Sequence, residues 1–257
     1  MRSKKIIGII LGILFSFALI TAIFFTSMDI VIYGNMPGSF VDECIRYDVL
    51  GDVGITEEEL ADVSEEMFEY LRGGRDSLAD ITATIHGQPD TPFFNEKECL
   101  HMADCRKLFL AGYSLWRWSA IAAGTILIIL LLMFRKELGA ALHCLAAGLL
   151  AGAGIMAVAA GTLAILVSRN FDKYFTMFHL IFFDNDLWIL DVNTDRLLMI
   201  MPTGYFVDCV TQIGLIFGIS ILVLLALAAA RLIYERKSTQ GETENREDTA
   251  VTTGLLQ

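Results

Sequence analysis

The sequence predicts a mainly α-helical membrane protein, with four transmembrane helices and a small α+β extracytoplasmic domain built from two outer loops. Three observations carry this expectation. Hydrophobic residues make up 55% of the 257-residue chain, with a mean hydropathy of +0.57. They gather in four long segments. Lysine and arginine, finally, fall asymmetrically around those segments.

The first segment, 6–26, opens with IIGIILGILFSFALITAIFF, twenty residues without a charge. At about 1.5 Å per residue this crosses a hydrocarbon core of roughly 30 Å. A signal peptide would also begin MRSKK, but Thr26-Ser27-Met28-Asp29 is a poor small-residue cleavage site, so the segment reads as an anchor. The others are 116–134, with Tyr113, Trp116 and Trp118 as an interfacial belt, then 138–167 and 209–231. Gly148, Gly152, Gly154, Ala159, Ala160 and Gly161 make the third a small-residue helix able to approach its neighbours closely.

Arg2, Lys4 and Lys5 in the N-terminus (1–5), Arg135 and Lys136 in the turn 135–137, and Arg231, Arg236 and Lys237 all fall on one side of an even-numbered topology. Both termini are therefore expected in the cytoplasm, and loops 27–115 and 168–208 outside. Between Ser27 and Tyr113 stand eighteen Asp and Glu against six Lys and Arg. Such an acidic face gives no support to nucleic-acid or anionic-headgroup binding. Cys44, Cys99, Cys105 and Cys209 sit on the outer side, where a disulfide is permitted, and Cys144 lies within a helix. No CxxC pair occurs to suggest a thiolate zinc or redox site. The polar tail, 232–257, reads as disordered.

In the first outer loop, Thr56 and Glu59 form a capping box ahead of Leu60, Val63, Met67 and Leu71 at helical spacing, and Gly73-Gly74 stops that helix. Residues 78–85 read as a short strand and 86–90 as a turn. Asn95 caps a second helix with Glu98 at its N3 position, and no proline separates it from the second span. The second outer loop contains FDKYFTMFHLIFF, DND, LWIL, DVNTDR and LLMIM, which suggests an interfacial hairpin turning at Asp191–Arg196. A calcium-loop reading of Asp191, Asn193 and Asp195 fails, because Arg196 stands where glycine is required and Pro202 where the bidentate glutamate belongs.

Of four histidines, His143 lies near the cytoplasmic end of the third span and His86 in a turn. That leaves His101 and His179, one in each outer loop. On a helix Glu98, His101, Asp104, Cys105 and Leu108 share a face, and a carboxylate one turn away can accept an imidazole N–H and free the other nitrogen for a proton. Three other readings fit the same residues. They are a Cys105–His101 nucleophilic pair, a metal site of Glu98, His101 and His179 serving a membrane hydrolase, and a capped helix with a solvated face on a non-catalytic protein.

EKECLHMADCRKLF resembles the E-x-x-H-M-x-D-V-x-x-L-F segment, and FHLIFFDNDLWILDVNTDRLLMIMP the F-H-x-x-F-F-x-N-D-x-W-x-x-D-x-x-x-D-x-L-I-x-x-x-P segment, of a bacterial integral-membrane family that includes the lipoprotein intramolecular transacylases. The resemblance implies an acyltransferase of the bacterial cell membrane that needs no metal or other cofactor. Its substrate would be a diacylglyceryl-modified lipoprotein held among membrane lipid. One acyl chain would move from the S-linked diacylglycerol of the N-terminal cysteine to that cysteine's α-amine. His101 and His179 are the implied catalytic pair, with Glu98, Asp104, Asn185, Asp186 and Trp188 as supporting positions. Phe178, Phe182 and Phe183 are candidates to line a groove for acyl chains. The chain departs from the pattern at Cys105, where the motif has valine, and at Thr203-Gly204, where an acidic residue is expected.

Overall fold

A computed structural model describes residues 2–34, 38–201 and 203–254. Pro202, residues 35–37 and the last three residues of the tail lie outside them. Four helices are long and apolar enough to cross a membrane: α1 (Arg2–Tyr33), α5 (Glu96–Met133), α6 (Leu138–Arg169) and α9 (Thr203–Gly254). Between α1 and α5 come α2 (Gly38–Arg46), α3 (Val49–Val53), α4 (Glu57–Arg72) and the strands β1 (Thr82–Ile85) and β2 (Gln88–Pro92). Between α6 and α9 lie α7 (Phe171–Phe182) and α8 (Arg196–Ile200). The chain divides into two compact units, one of Met1–Thr21, Trp118–Gly161 and Gly218–Gln257, the other of Ala22–Arg117 and Thr162–Phe217.

In the first unit, small residues set the distance between α1 and α6. A β-carbon added at Gly12 would collide with the backbone carbonyl of Cys144, and one added at Gly148 with the backbone of Gly12. The main chains of the two helices are thus in direct contact, and the Ser16 hydroxyl donates to the Leu149 carbonyl at 3.4 Å. The small-residue stripe read from the sequence is only partly used for packing, since a β-carbon at Gly154 or Gly161 would meet open space. Near the α6 N-terminus Glu235 pairs with His143 at 3.1 Å and with Arg231 at 3.2 Å, joining α6 to α9.

The second unit holds the apolar core that the two loops build. Thr56 accepts from the Glu59 amide at 3.3 Å, and Gly73 closes α4 with φ 89°, a conformation that costs a glycine nothing. Leu60, Val63, Met67 and Leu71 then form the buried face of α4 against Phe40, Val53 and Phe93. The strand expected at 78–85 begins only at Thr82, and its hairpin turns through His86 and Gly87, both with positive φ. Where α4 ends, Arg72 pairs with Asp29 at 2.9 Å and stacks on Tyr33, while Trp116 donates to Thr26 at 3.0 Å.

Two expectations from sequence do not hold. Among the described residues the 168–208 loop contains no strand hairpin: on either side of Asp191–Arg196, LWIL forms no strand and LLMI lies in α8. Earlier in the loop, Asn170 caps a helix by accepting from the Lys173 amide at 3.1 Å, and the apolar run FDKYFTMFHLIF is α7. The tail is not disordered through Gly254, because α9 continues from its apolar segment without a proline to stop it.

What joins the two loops is one carboxylate. Glu98, 1% exposed, accepts from the Asn95 amide at 2.6 Å, while the Asn95 side chain accepts from the Glu98 amide at 2.9 Å. That is the capping box the spacing predicts. Its second oxygen accepts from the Leu197 amide in the first turn of α8, also at 2.6 Å. Asn95 adds a bond to Asp195 at 2.8 Å, and Arg196 reaches back to the carbonyls of Pro92 and Phe93 at 2.9 and 3.0 Å.

Two outcomes follow. Gly148→Ala should cost about 1–3 kcal/mol by overpacking, lowering the thermal unfolding midpoint in detergent, whereas Gly154→Ala should leave it unchanged; equal midpoints for the two variants contradict the helix contact. Glu98→Ala strands the buried Leu197 amide at about 1–3 kcal/mol. Limited proteolysis should then cut 184–195 faster than in the wild-type chain, and an unaltered cleavage pattern contradicts the clamp.

Candidate active site

The first twelve residues of α5 carry Glu96, Lys97, Glu98, Asp104, Arg106 and Lys107 and precede the apolar stretch 116–134 that would enter a bilayer. His101 projects from this polar part, and His179 from the last turn of α7. Both side chains are buried, and their ring centroids lie 6.0 Å apart. The structure thus brings together the two histidines that the sequence picks out from opposite loops.

The walls around them are aromatic. Phe183 stands edge-on to His101 at 5.4 Å and lies 5.5 Å from His179. Trp188 stacks on His179 at 4.8 Å with 27° between planes, and Phe175 and Phe178 approach the same imidazole at 4.4 and 5.4 Å. Burial is the main reason that both histidines hold protons weakly. His101 is pushed down to about 4, with the nearby His179 adding to the effect, and His179 is lowered by burial against the opposing pull of the Phe175 carbonyl. Both rings are therefore neutral at neutral pH.

The hydrogen bonds define one tautomer. Nδ1 of His179 lies 2.8 Å from the carbonyl of Phe175, an acceptor only, so the proton sits on Nδ1 and Nε2 carries the lone pair. Nε2 of His101 meets Cys105 Sγ at 3.5 Å, and its Nδ1 is buried with no hydrogen-bond partner among the described residues. Burial pushes the Cys105 thiol up to about 12, which keeps it protonated and a poor nucleophile.

The expected orientation of His101 by a carboxylate does not occur. Glu98 is turned to the Asn95 and Leu197 amides, and Asp104 accepts from Lys107 at 2.7 Å and from Asn185 at 2.9 Å. Those two bonds hold the Asp104 carboxyl below the usual range. Asn185 in turn accepts from the Leu187 amide at 3.0 Å, and Lys97 donates to the Ile189 carbonyl, so the Trp188 loop is fastened to α5 on both sides.

Of the remaining positions, Phe183 is buried beside both imidazoles, Phe178 and Phe182 pair at 4.8 Å with 44% and 53% of their surface exposed, and Asp186 is exposed. The sequence reading missed Phe175 and Asp195. Phe175 stands four residues before His179, a spacing that would have revealed it had α7 been read as a helix. Asp195, buried, accepts from Asn95 and from the Asp191 amide, each at 2.8 Å. No short-range sequence signal marks it. Among the described residues no group of three or more His, Cys, Asp and Glu is placed to hold a metal ion.

This architecture is shared with known proteins. Among solved structures, the membrane integral lipoprotein intramolecular transacylase Lit from Bacillus cereus matches with a TM-score of 0.70 at 17% identity, over 90% of this chain and 98% of that one. Two variants of the same protein, with a histidine replaced by arginine or by alanine, match at 0.67 with 18% and 17% identity, over 90% of this chain and 95% and 96% of theirs. No curated protein matches. The model of the lipoprotein intramolecular transacylase family, Lit, matches residues 13–206, most of the sequence and both histidine segments. This chain belongs to that family.

Proposed function

We propose that the protein moves an acyl chain within a lipoprotein, from the glycerol of its S-linked diacylglycerol to the α-amine of the same N-terminal cysteine, giving the N-acyl, S-monoacylglyceryl form. The observation that carries this reading is the pair of buried imidazoles with centroids 6.0 Å apart among aromatic side chains. Membership of a transacylase family supports it. The positive-inside pattern supports cytoplasmic termini and a site at the outer bilayer surface, where the ester linkages of such a substrate lie.

Donor ester and acceptor amine belong to one molecule, so correct placement alone removes up to ~7–11 kcal/mol of barrier. The protein must then manage protons. The amine arrives as an ammonium ion with two protons to lose, and the pocket that lowers the imidazoles lowers it too. His101 takes the first proton at Nδ1 and becomes the acid. His179 takes the second at Nε2 as the nitrogen bonds to the ester carbonyl carbon. On collapse the carbon–oxygen bond to glycerol breaks, His101 returns its proton to the glycerol oxygen, and His179 releases its own to water. Atoms and charge balance without a covalent enzyme intermediate.

A metal-dependent hydrolase would need Glu98 as a ligand. Both of its oxygens are engaged by backbone amides, which favours direct acid–base transfer.

The test is tandem mass spectrometry of a lipoprotein N-terminal peptide after expression in a host that makes the diacylglyceryl form; the rearrangement conserves mass, so the fragment carrying an N-acyl group is the readout. Wild-type chain should produce it with or without chelator. His101→Ala and His179→Ala should each lower the rate about 10²- to 10⁴-fold, and full activity in either variant, or loss of activity on chelation, contradicts the reading. The pH profile gives a second check. Because both histidines have lowered values, their working neutral forms persist below the ordinary 6.5 and are lost only as pH falls further. The acid limb of kcat/KM should therefore lie below pH 6.5, and an alkaline limb near the α-amine value of about 7.7–8.0 should mark loss of the loading proton. An acid limb above 6.5 counts against neutral resting imidazoles.

A further inference from the structure

Trp188 lies flat on the imidazole of His179, centroids 4.8 Å apart. Its indole nitrogen is buried and has no hydrogen-bond partner among the described residues. The aromatic neighbours that surround the same imidazole, Phe175, Phe178 and Phe183, have no lone pairs to accept its proton. A buried N–H left without an acceptor destabilises the fold, and a phenyl ring would give the same stack without that cost. The donor is thus retained in a position where only a bound molecule can use it.

Nearby backbone donors are already engaged. The amide of Leu187 goes to the Asn185 side chain, those of Ile189 and Leu190 to the carbonyls of Asp186 and Trp188, and that of Asp191 to Asp195. The segment is held rigid by the Asn185–Asp104 bond and the Lys97–Ile189 contact. A preorganised donor beside the general base is the arrangement that acyl transfer needs for the negative charge developing on the carbonyl oxygen.

We propose that the Trp188 indole N–H is a catalytic oxyanion donor, hydrogen-bonding the ester carbonyl oxygen of the substrate as the amine adds to it. The inference rests on the acyl transfer proposed above. As the carbon–nitrogen bond forms, the carbonyl π electrons move onto oxygen, where the indole N–H stabilises them without giving up its proton. When the bond to glycerol breaks, the electrons return to form the amide carbonyl, and the proton needed by the departing oxygen comes from His101.

The experiment compares Trp188→Phe, and a chain in which the indole of Trp188 is replaced by benzothiophene, with wild type and with His179→Ala. All are assayed in detergent on a diacylglyceryl lipopeptide. The benzothiophene keeps the bicyclic stack and exchanges N–H for sulfur. Both Trp188 changes should lower kcat about 10²- to 10³-fold, with KM within about threefold of wild type and the acid limb of the pH profile unmoved. A donor lipopeptide whose ester carbonyl oxygen is replaced by sulfur, a weaker acceptor, should slow the wild-type enzyme and add little further loss to the variants. Should the benzothiophene protein turn over within threefold of wild type while His179→Ala is inactive, the oxyanion role is overturned and the acyl-transfer reading stands. Should His179→Ala remain active, the acyl-transfer reading itself fails. A shifted acid limb in Trp188→Phe would reduce Trp188 to a support for the imidazole and overturn the donor assignment.

Discussion

A carboxylate suspended between two helix N-termini is the constraint on which the site depends. Glu98 closes the capping box of α5 with one oxygen and takes the Leu197 amide of α8 with the other. Its partners lie about a hundred residues apart in sequence, so this one side chain fixes the second loop against the first. Burial, with Asp195 adding to it, raises the Glu98 carboxyl above its ordinary value, and the two amides act in the opposite direction by favouring its charged form. An anion placed at helix N-termini also meets the favourable ends of their dipoles. Asn95 and Asp195 strengthen the same junction, and the Asn185–Asp104 bond closes the loop from its other end. The Asn185 anchor stands six residues after His179 and ties the chain leaving α7 to α5, the helix that carries His101.

Once the loops are joined, the aromatic residues control what the imidazoles can do. Phe183 lies beside both rings and packs against each of them. Exclusion of water lowers the affinity of both for protons and leaves them as bases. In the proposed reaction it would also bear on selectivity: water and the substrate amine would compete for the same ester, and a site lined by Phe175, Phe178, Phe183 and Trp188 would favour the nucleophile delivered with the substrate. Polar support sits one layer out, on Asp104, Asn185 and Lys97, where it orders the loop, and the charges of Asp104 and Lys97 act on His101 in opposite directions.

How much of this was legible depended on how local each signal is. The caps at Thr56 and Asn95 are set by residues three apart, and the four apolar spans by unbroken composition, so both were readable. The two histidines could be singled out, and the motif resemblance paired them. The hairpin was read from LWIL and LLMIM as two short apolar runs on either side of a turn, runs too short for periodicity to separate strand from helix, and LLMI of the second lies in α8. In the same loop Asn170 as a cap, with Phe171, Phe175, Phe178 and Phe182 at three- and four-residue intervals, already spelled the helix α7. The second half of the Glu98 clamp was unreadable for a different reason, since its partner is a backbone amide that any residue at position 197 would supply. The role of Asp195 is equally non-local, and a turn-like DVNTDR gives no sign that its last carboxylate is buried.

Cys105 shows how a departure from a family pattern can be absorbed. Where the motif has valine, this chain places a thiol 3.5 Å from Nε2 of His101. Sulfur fills much the same space as a small apolar group, and burial among apolar neighbours keeps it protonated, so it adds no competing nucleophile. It does add a weak hydrogen-bonding partner on one side of the imidazole. With Nε2–H directed at the sulfur, the lone pair falls on Nδ1, the atom that is buried without a partner. A protonated thiol can also donate to Nε2, so unlike the acceptor-only Phe175 carbonyl on His179 it leaves both tautomers of His101 open.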